Sequence, residues 1–303
     1  MKNLFASGRA QARAAPPRAV ARRRFRFSSL TQVPYIPMFI IVVFMVVAVF
    51  GGFFSPYDPG LPNLRDTYRP PFWQEGGSTN FLLGTDNLGR DMLSRLILGA
   101  RVSLIVIAVG IPGHIAIGVT LGLISGYMGR GVDTLIQRVV DVYLAFPTIL
   151  LALALIPVLG PGMKSILIII IVTGWAGYAR IIRAEVLGVK SRDFVSLAKV
   201  AGASELRIML THIFPQVINT ILVISTLQVG SVIIFEASLS FLGIGTQPPL
   251  SSWGQILSDG RQFVSTAWWI AFFPGICIVF ICLSANLLGD WVRDKLDPRL
   301  RQL

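Results

Sequence analysis

The sequence predicts an all-α membrane protein with six transmembrane helices and both ends in the cytoplasm. The first observation is composition, since hydrophobic residues make up 53% of the 303 residues and charged residues only 14%. An ordinary soluble domain carries about 25% charged residues. The composition therefore excludes a simple cytosolic enzyme and a disordered or fibrous protein, and it favours a chain that crosses a membrane several times.

The second observation is a series of apolar runs that are long enough, or nearly so, to cross about 30 Å of hydrocarbon. In the third run, Asp141, Pro147 and Pro157 predict a kink or a later start, because neighbouring helices can satisfy the carbonyls that a proline leaves free. In the fourth run, Arg180 lies near the end, where its side chain can extend to the interface. The predicted spans are Pro34–Phe54, Val102–Ile124, Val139–Leu159, Ser165–Ile182, Val217–Leu242 and Trp268–Leu288.

The third observation is the position of the basic residues, which give the chain a net charge of +12. With residues 1–33 inside as an uncleaved basic tail, 20 of the 27 Lys and Arg residues lie on the inner side, in agreement with the positive-inside rule. Anionic lipid headgroups explain the charge of this tail, so no nucleic-acid partner is expected. The predicted organisation is a cytoplasmic tail at 1–33, a first helix and long external loop at 34–100, a five-helix core at 101–290 with an inner loop at 183–216, and a cytoplasmic tail at 291–303.

The external loop carries a compact polar run before the second span. Gly84 and Gly89 predict turns, and Asp91 can cap a helix that leads into the span. The two aspartates of this run could also be cation ligands, but caps and ion pairs are favoured because a hard-cation site needs more oxygen atoms than the run offers. The groups expected to form those ion pairs are Asp86, Asp91, Arg90 and Arg95.

Three glycines in the second span follow one another at four-residue spacing. Gly118, Gly122 and Gly126 share one face of a helix, which lets another helix approach closely. We expect this face to pack inside the subunit or against a partner subunit.

Glu236 is the only acidic residue deep within a predicted span. An unpaired carboxylate is costly in a membrane, so it should face the bundle interior, a partner or water. Contact with the cationic end of a passing substrate is one hypothesis. A structural hydrogen bond that anchors the outer loop is the favoured alternative.

The loop between the fourth and fifth spans predicts a short helix, a tight turn and a second helix. Asp193 can cap a helix starting at Phe194, Gly202 can end it in the left-handed conformation, and Ser204 can cap a second helix running toward Pro215. A DNA-binding helix-turn-helix is disfavoured because the segment is too short for a three-helix core. An interfacial linker and a docking site for a cytoplasmic motor both remain open. The small residues that would let a partner approach, and the charged residues beside them, are Ala198, Ala201, Ala203, Glu205 and Arg207.

These residues also carry a resemblance. Ala198, Gly202 and Pro215 match the EAA loop of permease subunits in binding-protein-dependent ABC importers, with departures at four positions, namely Ser196, Leu197, His212 and Phe214. Further stretches resemble the C-type permease of the dipeptide, oligopeptide and nickel importers. They are Leu83–Leu96, Gly126–Gly129, Glu236–Gly245 with Pro248-Pro249 and Trp253-Gly254, and Asp297-Pro298.

The resemblance implies a type I ABC importer permease fold in the cell membrane and transport by alternating access. It implies four partners: a second homologous permease, two cytoplasmic ATP-binding subunits and an extracytoplasmic substrate-binding protein. ATP and Mg²⁺ would be used by the ATP-binding subunits, and no catalytic residue, cofactor or metal ion is expected in this chain. Dipeptide, longer peptide, opine, glutathione-like and nickel–chelate solutes all fit. A membrane-embedded enzyme and a solitary channel or secondary transporter are the alternatives from other classes.

Overall fold

The computed structural model describes residues 33–246 and 250–296, and every helix or strand element in these two ranges is a helix. Most of the predicted basic tail, Pro248-Pro249 and Asp297-Pro298 lie outside the described residues. The helices are α1 (Tyr35–Phe54), α2 (Met92–Met128), α3 (Arg130–Ala145), α4 (Thr148–Leu159), α5 (Met163–Lys190), α6 (Asp193–Val200), α7 (Glu205–Arg207), α8 (Phe214–Phe241), α9 (Trp253–Gly260) and α10 (Trp269–Leu296).

In the described ranges, five helical stretches are long and apolar enough to cross a membrane, and a sixth crossing follows if α3 and α4 form one broken span. The first matches its predicted bounds closely. The other four stretches run past the predicted apolar segments, because helical hydrogen bonding continues into the polar residues that flank each apolar run. Arg95, in the first turn of α2, is fully buried, so apolar content alone does not reveal where this helix begins.

The third span is broken at Phe146 and Pro147, where α3 and α4 meet at 93°. The kink that Asp141, Pro147 and Pro157 predict is therefore present, at Pro147, whereas the alternative of a later start is wrong, since α3 begins at Arg130, before Val139. At the start of α3, Asp133 pairs with Arg183 of α5, and at the end of α4 the Leu159 carbonyl accepts a hydrogen bond from Ser165 at 3.1 Å. Arg183 and Ser165 are about 27 Å apart along α5, so the broken pair covers nearly the full hydrocarbon thickness.

Helix α2 packs closely along α5 through its three glycines. A Cβ added at Gly118 would lie 2.5 Å from the Trp175 carbonyl oxygen and 2.5 Å from the Tyr178 Cβ. Added at Gly122 or Gly126, it would lie 2.8 Å from the Ala179 carbonyl oxygen and 2.7 Å from the Val186 Cβ, respectively. The glycine face therefore packs inside the subunit.

The segment after α6 differs from the prediction of a second helix that ends near Pro215. Helix α7 continues through a π-helical turn, Ile208–Ile213, directly into α8, and Pro215 lies in the first turn of α8. A proline ring clashes with the carbonyl four residues earlier in a regular α-helix. The π-helical turn, which is wider than a regular α-helical turn, lies directly before α8. As a result, α7, this turn and α8 form one continuous helix that leads into the fifth span.

Candidate functional site

The elbow, defined as Asp193–Arg207, consists of α6, a tight turn and α7. Gly202 has φ of 80°, the left-handed conformation expected from the sequence. The Ala203 N–H donates to the Ala198 carbonyl at 3.1 Å, and the Gly202 N–H donates to the Lys199 carbonyl at 3.0 Å. These two bonds form a Schellman motif, which ends α6. Ser204 then accepts from the Arg207 N–H at 3.4 Å and caps α7.

The prediction that Asp193 caps α6 is wrong. Arg192 occupies the N-cap position, without a side-chain capping bond, and Asp193 is the first helical residue. The carboxylate still lies in the first turn, where the helix dipole favours a negative charge.

One face of the elbow packs against α5. Val195 of the elbow is buried with Tyr178, Ile182 and Val186 of α5 in a single apolar cluster, which also contains Ile208, the residue directly after the elbow. The same cluster includes Ala198 and Ala203. These two alanines therefore face the chain's own core, so the close approach expected from their small size is made within the subunit.

The opposite face of the elbow exposes large apolar side chains, which we call the apolar tip: Leu197, Val200 and Leu206. Their side chains are 68%, 88% and 62% exposed. Ala201, Gly202, Glu205 and Arg207 are exposed beside them. The sequence pattern marks Leu197 only as a departure from the EAA loop and does not mark Val200 or Leu206, although Leu197 and Val200 have the three-residue spacing of one helix face.

The elbow is joined to the ends of α2 and α5 through Tyr127. The Lys199 and Lys190 Nζ atoms each lie 5.4 Å from the centroid of the Tyr127 ring, within the range of a cation–π interaction. Lys190 also donates a hydrogen bond to the Tyr127 carbonyl. These contacts connect α6 and the end of α5 to the end of α2.

At the start of α2, three buried charged residues and a half-buried aspartate form what we call the arginine cluster: Asp86, Arg90, Arg95 and Asp259. Asp86 accepts from Arg90 Nε at 2.7 Å and from an Arg95 guanidinium nitrogen at 2.6 Å. Arg95 also donates to Asp259 at 2.9 Å. The ion-pair interpretation of Asp86 agrees with this geometry, and the cluster fixes the loop before α2 to α9.

Two glycines shape the loop that carries Asp86. Gly84 and Gly89 have φ of 81° and 72°, and a Cβ at Gly84 would lie 2.5 Å from the Arg69 carbonyl oxygen. Asp91 caps α2 by accepting from the Ser94 N–H at 2.8 Å, and burial raises the pKa of Asp91. In the described part of the chain, no group of three or more His, Cys, Asp or Glu side chains is placed to hold a metal ion.

Glu236 is buried near the end of α8 and bonded to serines. Its carboxylate accepts from the Ser240 hydroxyl at 2.6 Å and hydrogen-bonds Ser252. The Ser252 and Ser240 hydroxyl oxygens lie 3.0 Å apart, and the Ser252 hydroxyl oxygen caps α9. This arrangement joins α8 to the start of α9, as the structural hypothesis for Glu236 expects.

Comparisons with known proteins agree with this architecture. The family described as "Binding-protein-dependent transport system inner membrane component" matches residues 118–302. The di/tripeptide transport system permease protein DppC of Pseudomonas aeruginosa (strain UCBPP-PA14) is 41% identical over 265 residues, which cover 86% of this chain and 87% of that protein. The dipeptide transport system permease protein DppC of Escherichia coli (strain K12) is 43% identical over 263 residues, which cover 86% of this chain and 87% of that protein.

The fold is also similar to a solved structure. A chain of the inward-facing methionine ABC transporter MetNI superposes with a TM-score of 0.57 at 17% identity, covering 68% of this chain and 98% of that one. The similarity in sequence to curated permeases and the helical fold agree. The chain therefore belongs to the inner membrane components of binding-protein-dependent transport systems, and it is a multi-pass permease subunit of an ABC importer.

Proposed function

We propose that this subunit carries dipeptides or closely related short peptides into the cell by alternating access. The observation that carries the proposal is the 41% and 43% identity, over 86% of the chain, to permeases named for di/tripeptide and dipeptide transport. Similarity of this extent over nearly the whole membrane region favours a solute of the same chemical class. The separate binding protein would select among individual peptides.

The complete importer would contain this chain, a second homologous permease, two cytoplasmic ATP-binding subunits and an extracytoplasmic binding protein. ATP and Mg²⁺ are used by the ATP-binding subunits, and this chain supplies no catalytic group. The elbow side faces the cytoplasm, because the basic residues concentrate on that side of the predicted topology. The loop carrying Gly84, Asp86, Gly89, Arg90 and Asp91 then faces the binding protein.

The elbow is the docking site for one ATP-binding subunit. Val200 is 88% exposed at its tip, and exposed apolar side chains that lie together are typical of interaction surfaces. The buried face of the elbow and the two lysines on Tyr127 join it firmly to α2 and α5. Movement of the ATP-binding subunit would therefore tilt the long helices and switch the pathway between two states.

Substitution of Val200 by Asp tests the docking role in the purified importer. We expect Val200→Asp to release the ATP-binding subunits, because a carboxylate would be placed in an apolar contact. Val264→Asp is the matched control, since Val264 is 55% exposed at the far end of the chain's fold, after α9. Co-purification of the ATP-binding subunits with Val200→Asp at the level of the control would contradict the proposal.

Uptake into proteoliposomes tests the solute. The reconstituted importer with its binding protein should accumulate labelled dialanine in an ATP-dependent manner. A complex that keeps its ATP-binding subunits and hydrolyses ATP, but accumulates no short peptide, would contradict the assignment of the solute class.

A further inference from the structure

A cavity of about 310 Å³, whose largely apolar wall carries several polar side chains, lies where the third span is broken. Small-molecule sites have volumes of about 300–1,000 Å³, so this cavity is large enough for a small solute or part of one. Thr148 contributes at the start of α4, Gly174 near the middle of α5, and Gln228 and Ser231 near the middle of α8. The cavity therefore lies halfway across the membrane region, far from both the elbow and the arginine cluster.

The break in the third span exposes backbone groups at this depth. The first N–H groups of a helix have no partner inside that helix, and Pro147, the N-cap of α4, makes no side-chain capping bond. Irregular backbone at membrane depth is tolerated only where it is buried in protein or lines a water-filled cavity. Broken helices at the midplane are a recurrent feature of solute sites in transporters.

Three polar side chains of the cavity also have no protein partner. Within residues 33–246 and 250–296, no hydrogen bond is made by the side chains of Thr148, Gln228 or Ser231, although all three line the cavity. Burying a polar group in hydrocarbon without a hydrogen bond is costly. Thr148 and Ser231 are exposed and Gln228 is half-buried, so all three need a polar partner on the cavity side, which water or a polar solute can supply.

His114 supplies a further polar group at the wall of the cavity. Its Nε2 lies 2.7 Å from the Ile170 carbonyl oxygen, so Nε2 carries the proton and Nδ1 of the neutral ring is an acceptor. Nδ1 is buried and has no hydrogen-bond partner in the described part of the chain. The ring packs directly on Gly174, where a Cβ would lie 2.0 Å from Nε2.

None of the side chains that line the cavity is charged. A neutral lining is suited to neutral groups that both donate and accept hydrogen bonds. The carboxamide of Gln228 offers one acceptor and two donors, which complement the C=O and N–H of a peptide bond. The hydroxyls of Ser231 and Thr148 add groups of the same kind.

We infer that this cavity is the solute-contact surface of the subunit, where Gln228, Ser231 and Thr148 bind the amide groups of a passing peptide. The inference rests on the proposed function, and it assigns the contacts to a site separate from the elbow. Because these contacts are made to the peptide backbone, the site accepts peptides that differ in their side chains. The binding protein, not this cavity, then discriminates among them.

Uptake of dialanine and dileucine by the complete reconstituted importer tests this inference. Gln228→Leu should lower uptake of both peptides by about fivefold or more, the effect of one lost hydrogen bond, while ATP-binding subunits stay bound and ATP hydrolysis continues. Thr148→Val should also lower uptake. Its matched control is Thr120→Val, because the Thr120 hydroxyl bonds the Ala116 carbonyl of its own helix. Unchanged uptake in Gln228→Leu and Thr148→Val would overturn the inference, whereas absent uptake in the wild-type importer would overturn the proposed solute instead.

Thiol labelling gives a second measurement that does not depend on transport by a leucine variant. Ser231→Cys is placed in a chain whose Cys277 and Cys282 are replaced by serine, and the assembled importer is treated with a water-soluble maleimide. We expect labelling in the nucleotide-free complex and slower labelling with dialanine present. No labelling, either without nucleotide or with ATP bound, would show that the second permease or lipid covers the cavity, and would overturn the inference.

Discussion

Replacing Gly118 by alanine should force α2 and α5 apart. The added Cβ would lie 2.5 Å from both the Trp175 carbonyl oxygen and the Tyr178 Cβ. Favourable carbon–carbon contacts lie at about 3.5–4.0 Å, so the two helices must separate by about 1 Å at this level. The nearest groups are backbone and a Cβ, which cannot rotate away.

The expected cost is that of an overpacked core, about 1–3 kcal/mol. The separation also weakens the contacts at Gly122 and Gly126, which lie on the same face of α2. Gly122→Leu should be more harmful than Gly118→Ala because its side chain adds three further carbon atoms beside Ile182. We expect this variant to lower the recovery of intact importer.

Thermal inactivation of the purified importer, followed by size-exclusion chromatography after heating, measures the effect. Gly118→Ala should lose the intact complex at a lower temperature than wild type. Gly188→Ala is the matched control, because Gly188 lies in α5 and a Cβ there meets nothing within 4 Å. Equal stability of Gly118→Ala and Gly188→Ala would refute the close-packing argument.

Substitutions at three other positions test the remaining contacts. Arg95→Ala should destabilise the importer by about 3 kcal/mol, because it removes one of the two arginine partners of the buried Asp86 and leaves only Arg90. Thermal stability equal to that of wild type would contradict this. Tyr127→Leu should raise the ATP hydrolysed per peptide transported, since it removes the ring beneath two lysines, whereas Tyr127→Phe should keep the wild-type ratio. Gly202→Val should weaken docking of the ATP-binding subunits through backbone strain of about 1–2 kcal/mol, and Gly202→Asn should weaken it less; equal docking of the two variants would rule out strain as the cause.

The sequence was informative where a local pattern determines the structure. Apolar runs located the membrane helices, glycine spacing identified the closely packed face of α2, and Gly202 marked the end of α6. Each of these features depends on residues within one or two helical turns. Pro147 predicted a kink for the same reason, although a proline alone does not set an angle of 93°.

Other features depend on residues far apart in the chain and gave no local signal. Arg95 is buried at the start of α2 between Asp86, 9 residues earlier, and Asp259, 164 residues later, and no local signal in the sequence indicates the second of these partners. The inward orientation of Ala198 follows from the position of α5 rather than from the elbow's own sequence. Gln228 and Thr148 look ordinary in sequence, and only the fold places them at one cavity.

The sequence predicted the turn and cap of the elbow but not the residues of its exposed apolar tip. The sequence identified the turn at Gly202 and the cap at Ser204. It did not identify Leu197 and Val200 as the exposed apolar side chains. Burial against α2 and α5 determines which face of α6 remains exposed, and that burial is a property of the assembled bundle.

Labelling of a cysteine at Val200 most directly tests the claim that the elbow couples this subunit to ATP hydrolysis in the cytoplasm. Val200→Cys, with Cys277 and Cys282 replaced by serine, is treated with a membrane-impermeant thiol reagent. We predict no labelling in intact cells, labelling in inverted membrane vesicles stripped of ATP-binding subunits, and protection when those subunits are restored. Labelling of intact cells from outside would contradict the orientation, the docking site and the mechanism together.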